Sequence, residues 1–227
     1  MFLIVQNDPQ CPPGGCGSLL ASAGHPFRTL AGYSGEAFPD AAGLDGVIVL
    51  GGEMGVHDTR QYPHLVRVLS FMAQALQAGT PLLGICLGGQ LLAHLAGGVV
   101  SSPSPHGEKG VCRVELNREG ASDPLFRGVT SPFLTFQLHG DSFSIPPGAT
   151  LLAGSAACPA QAFRIGSAYG VQFHPEVDRA IVSAWDEISS PASDFLSGFL
   201  DAESKFQAAS HAILANFISL AAASRRP

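Results

Sequence analysis

The sequence is short of basic residues. Lysine occurs only at Lys109 and Lys205, and the formal net charge is −6. No segment carries the basic stripe that neutralising phosphates requires, so nucleic acid is not an expected partner. Long apolar runs are missing as well. No stretch of about 18 uncharged apolar residues occurs, and no membrane span is expected. The opening MFLIVQNDP has no basic n-region, and its apolar run is too short for a secretory signal. The cytoplasm is therefore the expected location. Cysteine is sparse and odd in number: Cys11, Cys16, Cys86, Cys112 and Cys158 lie scattered, which argues against a disulfide framework. The spacing of Cys11 and Cys16 in CPPGGC would suit a metal, but no second Cys or His pair with ligand spacing follows. The plainer reading is two ordinary thiols in a Pro/Gly-rich loop, and no metal is expected. Also absent are a Gly-x-x-x-x-Gly-Lys-Ser/Thr phosphate loop, an internal repeat, and a linker long enough to divide the chain. A single domain over residues 1–227 is expected.

What is present is apolar and alternating. Apolar residues make up 46% of the 227 residues and charged residues 13%, the balance of a globular chain with a well-buried sheet rather than a disordered one. Phe2–Gln6 and Phe27–Leu30 read as strands, with a helix around Ser18–Ala23 between them. Gly46–Leu50 (GVIVL) is a β-branched run of the kind buried on both faces. Tyr62–Gln77 places Leu65, Val66, Leu69, Met72, Ala73 and Leu76 at helical spacing, with Pro63 in its first turn and Gly79 at its C-terminal cap. Pro81–Ile85 reads as another strand and Gly89–Ala96 as another helix. Strand–helix alternation implies βαβ units and a mostly parallel sheet flanked by helices. The second half differs. Val111–Leu116, Phe133–Leu138, Thr150–Ala153, Ala162–Ile165 and Ala168–Phe173 are short strands with turns between them, which predicts an antiparallel or mixed extension. Helices near Arg179–Ile188 and Glu203–Ala222 close the pattern. Ser101–Gly110 (SSPSPHGEKG) reads as a loop that could border a site.

The chemistry concentrates in Pro81–Gln90, PLLGICLGGQ. A buried strand runs into a helix through Gly84-Ile85-Cys86-Leu87-Gly88, a G-x-nucleophile-x-G elbow with Cys as the nucleophile. The turn presents Cys86 at the C-terminal end of the sheet, where open α/β folds bind ligands. It also sets Cys86 at a helix N-terminus, where unpaired N–H groups favour a thiolate. A nucleophile of this kind needs a base and the base an orienting group. In Val171-Gln172-Phe173-His174-Pro175-Glu176 an apolar strand ends at His174, and Glu176 stands two residues on, close enough to hold the imidazole tautomer.

PLLGICLGGQLLAHLAGG and YGVQFHPEV resemble the two signature segments of class I glutamine amidotransferases. The resemblance runs over most of the chain, from the first strand past His-Pro-Glu, and GGEMG is most similar to the free-standing, GMP-synthase-like branch. It implies a flavodoxin-like α/β fold and a Cys-His-Glu triad of Cys86, His174 and Glu176. It further implies an oxyanion hole from the backbone N–H groups of Gly52, in Leu50-Gly51-Gly52-Glu53-Met54-Gly55, and of Leu87. Gln90 matches a glutamine that helps bind substrate, and Met54 falls in the same pocket by the match. Gln137-Leu138-His139-Gly140-Asp141 resembles a fourth segment, making His139 and Asp141 candidate pocket contacts. Leu138 stands where small relatives often carry Trp, a departure that touches the pocket and not the triad.

The implied reaction is attack of the Cys86 thiolate on the side-chain amide of glutamine or a related γ-glutamyl compound, through a γ-glutamyl thioester that water hydrolyses. No cofactor is required. A γ-glutamyl peptidase using the same thioester is the alternative, and a non-catalytic binding module on the same scaffold is a third reading that the intact triad argues against. An ATP-binding synthetase domain has no room before Pro227, so an ammonia-accepting synthetase is expected, if used, as a separate partner.

Overall fold

The computed structural model describes residues 1–189 and 194–224. The first half alternates strand and helix: β1 (Phe2–Gln6), α1 (Gly14–Ser22), β2 (Phe27–Ala31), β3 (Gly46–Val49), α2 (His64–Ala78), β4 (Leu82–Ile85) and α3 (Leu87–Leu95). The second half adds β5 (Val100–Ser101), β6 (Glu108–Leu116), α4 (Arg118–Ser122), β7 (Phe133–His139), β8 (Ser142–Phe143), β9 (Thr150–Gly154), β10 (Ala162–Ile165), β11 (Ala168–Val171), α5 (Arg179–Ile188) and α6 (Phe195–Ala223). Among the described residues nine strands form one sheet, ordered β2-β1-β3-β4-β11-β10-β9-β6-β7, and β5 pairs with β8 apart from it. The run from β2 to β11 is parallel and the run from β11 to β7 antiparallel.

Alternate residues of the parallel strands face opposite layers. Leu3, Val5, Val47 and Val49 pack with Leu65, Val68 and Met72 of α2 and with Leu91 of α3. Phe2, Ile4, Ile48, Leu83 and Ile85 pack with Leu20 of α1 and with Ile213, Leu214 and Phe217 of α6. Both faces are covered, which is why β3 and β4 are buried throughout and show no polar alternation. By length and composition α6 would suffice to cross a membrane. Its apolar stripe is instead spent on the protein: Phe199, Phe206, Ile213, Leu214 and Phe217 are all buried. It is a core helix.

Several boundaries differ from the sequence reading, each for a tertiary reason. α1 starts at Gly14, inside the Gly/Pro stretch, where Gly15 N–H donates to the Glu176 carbonyl at 2.8 Å. Helix propensity gives glycines no credit for such an anchor. The expected loop Ser101–Gly110 ends early, because β6 begins at Glu108 and pairs with His139 at the far end of β7. α6 begins at Phe195, eight residues before Glu203, with Phe199 in the core. β11, grouped by sequence with the antiparallel strands, lies parallel to β4 in mid-sheet. That placement positions the site.

Candidate active site

β4 ends at Ile85 and α3 starts at Leu87, leaving Cys86 alone to reverse the chain. Its φ is +51° and ψ −109°, the only positive φ at a non-glycine position among the described residues. Such a conformation costs about 1–3 kcal/mol and persists only where the surroundings impose it. The imposition is close packing. A β-carbon on Gly88 would stand 2.1 Å from the Val49 carbonyl oxygen, and one on Gly84 would stand 2.4 Å from the Gly88 oxygen. The first turn of α3 therefore lies directly on the ends of β3 and β4. Leu87, first in the helix, has an N–H with no partner inside the helix.

Since Val171 of β11 is in register with Ile85 of β4, the segments after both strands emerge side by side. Cys86 N–H donates to the Val171 carbonyl at 2.8 Å, and His174 N–H donates to Phe136 O at 2.8 Å. The Cys86 thiol and the His174 ring stand near enough for the charge on one to act on the other. His174 Nδ1 lies 2.7 Å from Glu176 Oε1. A carboxylate can only accept, so Nδ1 carries the proton and Nε2 is left for Cys86. Burial works against a charge on His174, but the negative fields of Glu176 and Cys86 outweigh it and raise its pKa to about 10. Trp185 meets the imidazole edge-on, 5.0 Å between ring centres, and its Nε1–H donates to Gln10 O at 2.7 Å. The ring of His174 is thus fixed by a carboxylate on one side and an indole on another.

Cys86 and His174 line a cavity of about 200 Å³ with Gly52, Asp8 and Cys11. A larger cavity of about 540 Å³, between Pro132–Leu134 and Lys205–Ala209, holds neither Cys nor His. Gly52 thus opens onto the same space as Cys86, and its turn is tied down by Asp8, whose Oδ2 accepts from Glu53 N–H at 3.1 Å. Met54 is buried and closes over Gly52 instead of lining the cavity. Gln90 does not line the cavity either. Its Nε2 donates to Asp141 O and to Gln172 Oε1, each at 3.4 Å, and Gln172 Nε2 approaches Cys86 Sγ at 3.6 Å. Gln172 therefore links Gln90 to the thiol. Asp141 is reached through its backbone carbonyl, which accepts from both Gln90 and His139 Nδ1 (2.8 Å). Sequence reasoning missed Gln172, Trp185, Asp8 and Cys11. Asp8 alone had a signal, a carboxylate just past the C-terminal end of β1. Cys11 is buried in the cavity wall, and burial followed by Asp8 and Glu176 pushes its thiol well up, away from a thiolate.

His139 carries a measurable consequence. Burial pushes its pKa down to about 4, against a weaker pull from the Asp141 carbonyl. Nε2 has no hydrogen-bond partner, and Glu108 Oε2 at 3.8 Å is beyond hydrogen-bond length. The Glu108 carboxyl is itself pushed up by burial. The folded protein binds this proton less readily than the unfolded chain. The stabilisation is full above the ordinary pKa of 6.5 and is lost as pH falls from there through about 4. A loss of up to about 3 kcal/mol is expected over that window. Urea unfolding of the wild type and of His139→Gln at pH 7, 5.5 and 4 would measure it. Parallel declines in both proteins would remove His139 as the cause.

Three comparisons bear on this geometry. The family model described as glutamine amidotransferase class-I matches residues 31–180. The GMP synthase [glutamine-hydrolyzing] of Thermomicrobium roseum is 40% identical over 135 residues, covering 58% of this chain and 23% of that protein. A gamma-glutamyl-L-1-hydroxyisopropylamide hydrolase from a Pseudomonas species is 28% identical, over 75% of this chain and 59% of its own length. The chain thus spans about a quarter of the GMP synthases it matches. Among solved structures, a glutamine amidotransferase from Thermotoga maritima superimposes with a TM-score of 0.89 at 26% identity, covering 97% of both chains.

Proposed function

The chain belongs to the class I glutamine amidotransferase family, and from that premise we propose that it hydrolyses γ-glutamyl amides, glutamine being the simplest, through a thioester on Cys86. The observation that carries this reading is that Cys86 and His174 line one cavity while His174 Nδ1 is held by Glu176 Oε1 at 2.7 Å.

In this reading the Cys86 thiolate attacks the side-chain carbonyl carbon. Charge gathers on the carbonyl oxygen, where the N–H groups of Gly52 and Leu87 receive it. His174, protonated in the resting pair, gives its proton to the leaving nitrogen as the C–N bond breaks. The now neutral imidazole takes a proton from water as that water attacks the thioester, and glutamate leaves. Proton and thiolate are back where they began. Glu176 holds Nδ1–H throughout, and Trp185 keeps the ring from turning. Gln90, Met54, His139 and Asp141 are assigned to the γ-glutamyl end. Gln90 and His139 would act by fixing the strand end at Leu138–Asp141, whose Leu138 carbonyl lies 4.0 Å from Cys86 Sγ.

The test is release of glutamate and amine from glutamine and from γ-glutamyl amides by the purified chain, with Cys86→Ala as control. Turnover that vanishes in the variant is expected. Equal turnover in both proteins, or a Cys86 alkylated by iodoacetamide no faster than Cys112, would defeat the reading. The GMP synthase relatives favour a second arrangement, in which a separate synthetase consumes the ammonia. That arrangement predicts that glutamine turnover rises when the synthetase is added.

A further inference from the structure

The cavity beside His174 is larger than ammonia needs. It holds about 200 Å³, whereas a molecule the size of water occupies about 30 Å³. If Cys86 forms a thioester from γ-glutamyl amides, as proposed above, this space has a defined occupant. The proton donor must stand beside the leaving nitrogen, and His174 lines this cavity while Gln90, Met54 and Asp141 do not. The leaving amine therefore stands in this cavity on the His174 side, with the scissile bond at Cys86 and Gly52.

Its walls select by charge. One side is apolar, formed by Leu138, Trp185 and Ile188. The other carries two carboxylates, Asp8 and Glu53. Asp8 is buried and already fixed, its Oδ1 accepting from Gln10 N–H at 2.9 Å and its Oδ2 from Glu53 N–H at 3.1 Å, with lone pairs to spare. Glu53 is exposed at the same wall, on the Gly52 turn. No Lys or Arg lines the cavity among the described residues. A leaving amine with its own carboxylate, such as an amino acid, would meet two like charges, and the one cation at the wall, His174, is already matched by Glu176. An amine with a second ammonium group would lay its methylenes on Trp185 and Ile188 and its charge against Asp8 and Glu53.

We propose that the preferred substrates are γ-glutamyl amides of small diamines, with Asp8 and Glu53 as the residues that select the cationic leaving group. Water is added across the amide C–N bond, and the products are glutamate and the free diamine, with no oxidant or co-reactant.

Three amides of matched length separate the possibilities: those of 1,4-diaminobutane, butylamine and 4-aminobutanoate, each assayed for kcat/KM with the wild type, Cys86→Ala, Asp8→Asn and Glu53→Gln. The expected order is cation over neutral by about tenfold and cation over anion by about a hundredfold, as roughly one and two such tenfold increments of charge interaction would give. The cation-to-anion ratio is expected to collapse toward one in Glu53→Gln and Asp8→Asn, and in 1 M salt. Equal rates, a preference for the anionic amide, or turnover of glutamine alone would overturn the proposal while leaving the hydrolase reading in place. A preference that survives in both variants would overturn the assignment to these carboxylates. Absence of any Cys86-dependent turnover would defeat the hydrolase reading and this inference with it.

Discussion

Replacing His174 with alanine is expected to lower kcat/KM for a γ-glutamyl amide by about 10²–10⁴-fold, the usual contribution of a positioned acid–base group. The loss should appear mainly in kcat, because in the proposed mechanism His174 acts on the leaving nitrogen and the attacking water. The pH profile separates chemistry from mere packing. His174 is held protonated to about pH 10, against its burial, by the fields of Glu176 and Cys86. Activity that needs the imidazolium as proton donor should persist in the wild type to near that pH and fall above it. Glu176→Gln removes the carboxylate that sustains the charge, so the alkaline limb must move to lower pH, while the amide side chain keeps an acceptor for Nδ1–H. The profile belongs to the Cys86–His174 pair rather than to either group alone. An alkaline limb that stays put in Glu176→Gln would mean that Glu176 does not hold the proton on His174. Unchanged kcat in His174→Ala would end the acid–base role.

Gly88→Ala is expected to cost as much for a different reason. The added methyl would lie 2.1 Å from the Val49 oxygen and 2.8 Å from its carbonyl carbon, well inside contact distance. Both atoms are backbone in the centre of a parallel sheet, so no side chain can turn aside. α3 would have to lift by more than an ångström, carrying Leu87 N–H and the Cys86 turn with it. A destabilisation of about 3 kcal/mol or more is expected, at or beyond the upper end for overpacking. Urea unfolding would register it as a lowered midpoint. A midpoint within error of the wild type would show that the elbow has slack, and would weaken the claim that packing enforces φ +51° at Cys86.

What was legible in the sequence was what is locally determined. Gly84, Cys86 and Gly88 announce the elbow because the turn and the close approach exclude other residues, and the structure puts it between β4 and α3. His174 and Glu176 are two residues apart after an apolar strand, so their contact at 2.7 Å needs little from the rest of the chain. The alternation in the first hundred residues fixed the parallel half of the sheet by the same local logic. Partnership between distant segments was not legible. The period of Ala168–Val171 marks a strand, but nothing in four residues says that its neighbour is β4. Trp185 reads as the apolar stripe of a helix, and only the packing of α5 turns it toward His174. Gln172 looks like one more residue of GVQFH until Gln90, from α3, arrives beside it. Met54 was assigned by position in a motif; it packs against Gly52, beside the cavity, and its assignment to the γ-glutamyl end rests on the resemblance.

The placement of β11 beside β4 also has a consequence for how the protein is made. Ile85 and Val171 are register partners 86 positions apart in the sequence (171 − 85). A chain leaving the ribosome completes β1, β2, β3 and β4 early, and their pairing is local enough to begin at once. At about 5–20 residues per second, β4 then waits roughly 4–17 seconds for the strand that covers its other edge. During that interval the nascent protein presents Leu82–Ile85, apolar on both faces, as a free edge open to any passing strand. Cys86 is synthesised long before His174, so on the proposed mechanism the young chain carries this open edge while it is still inert.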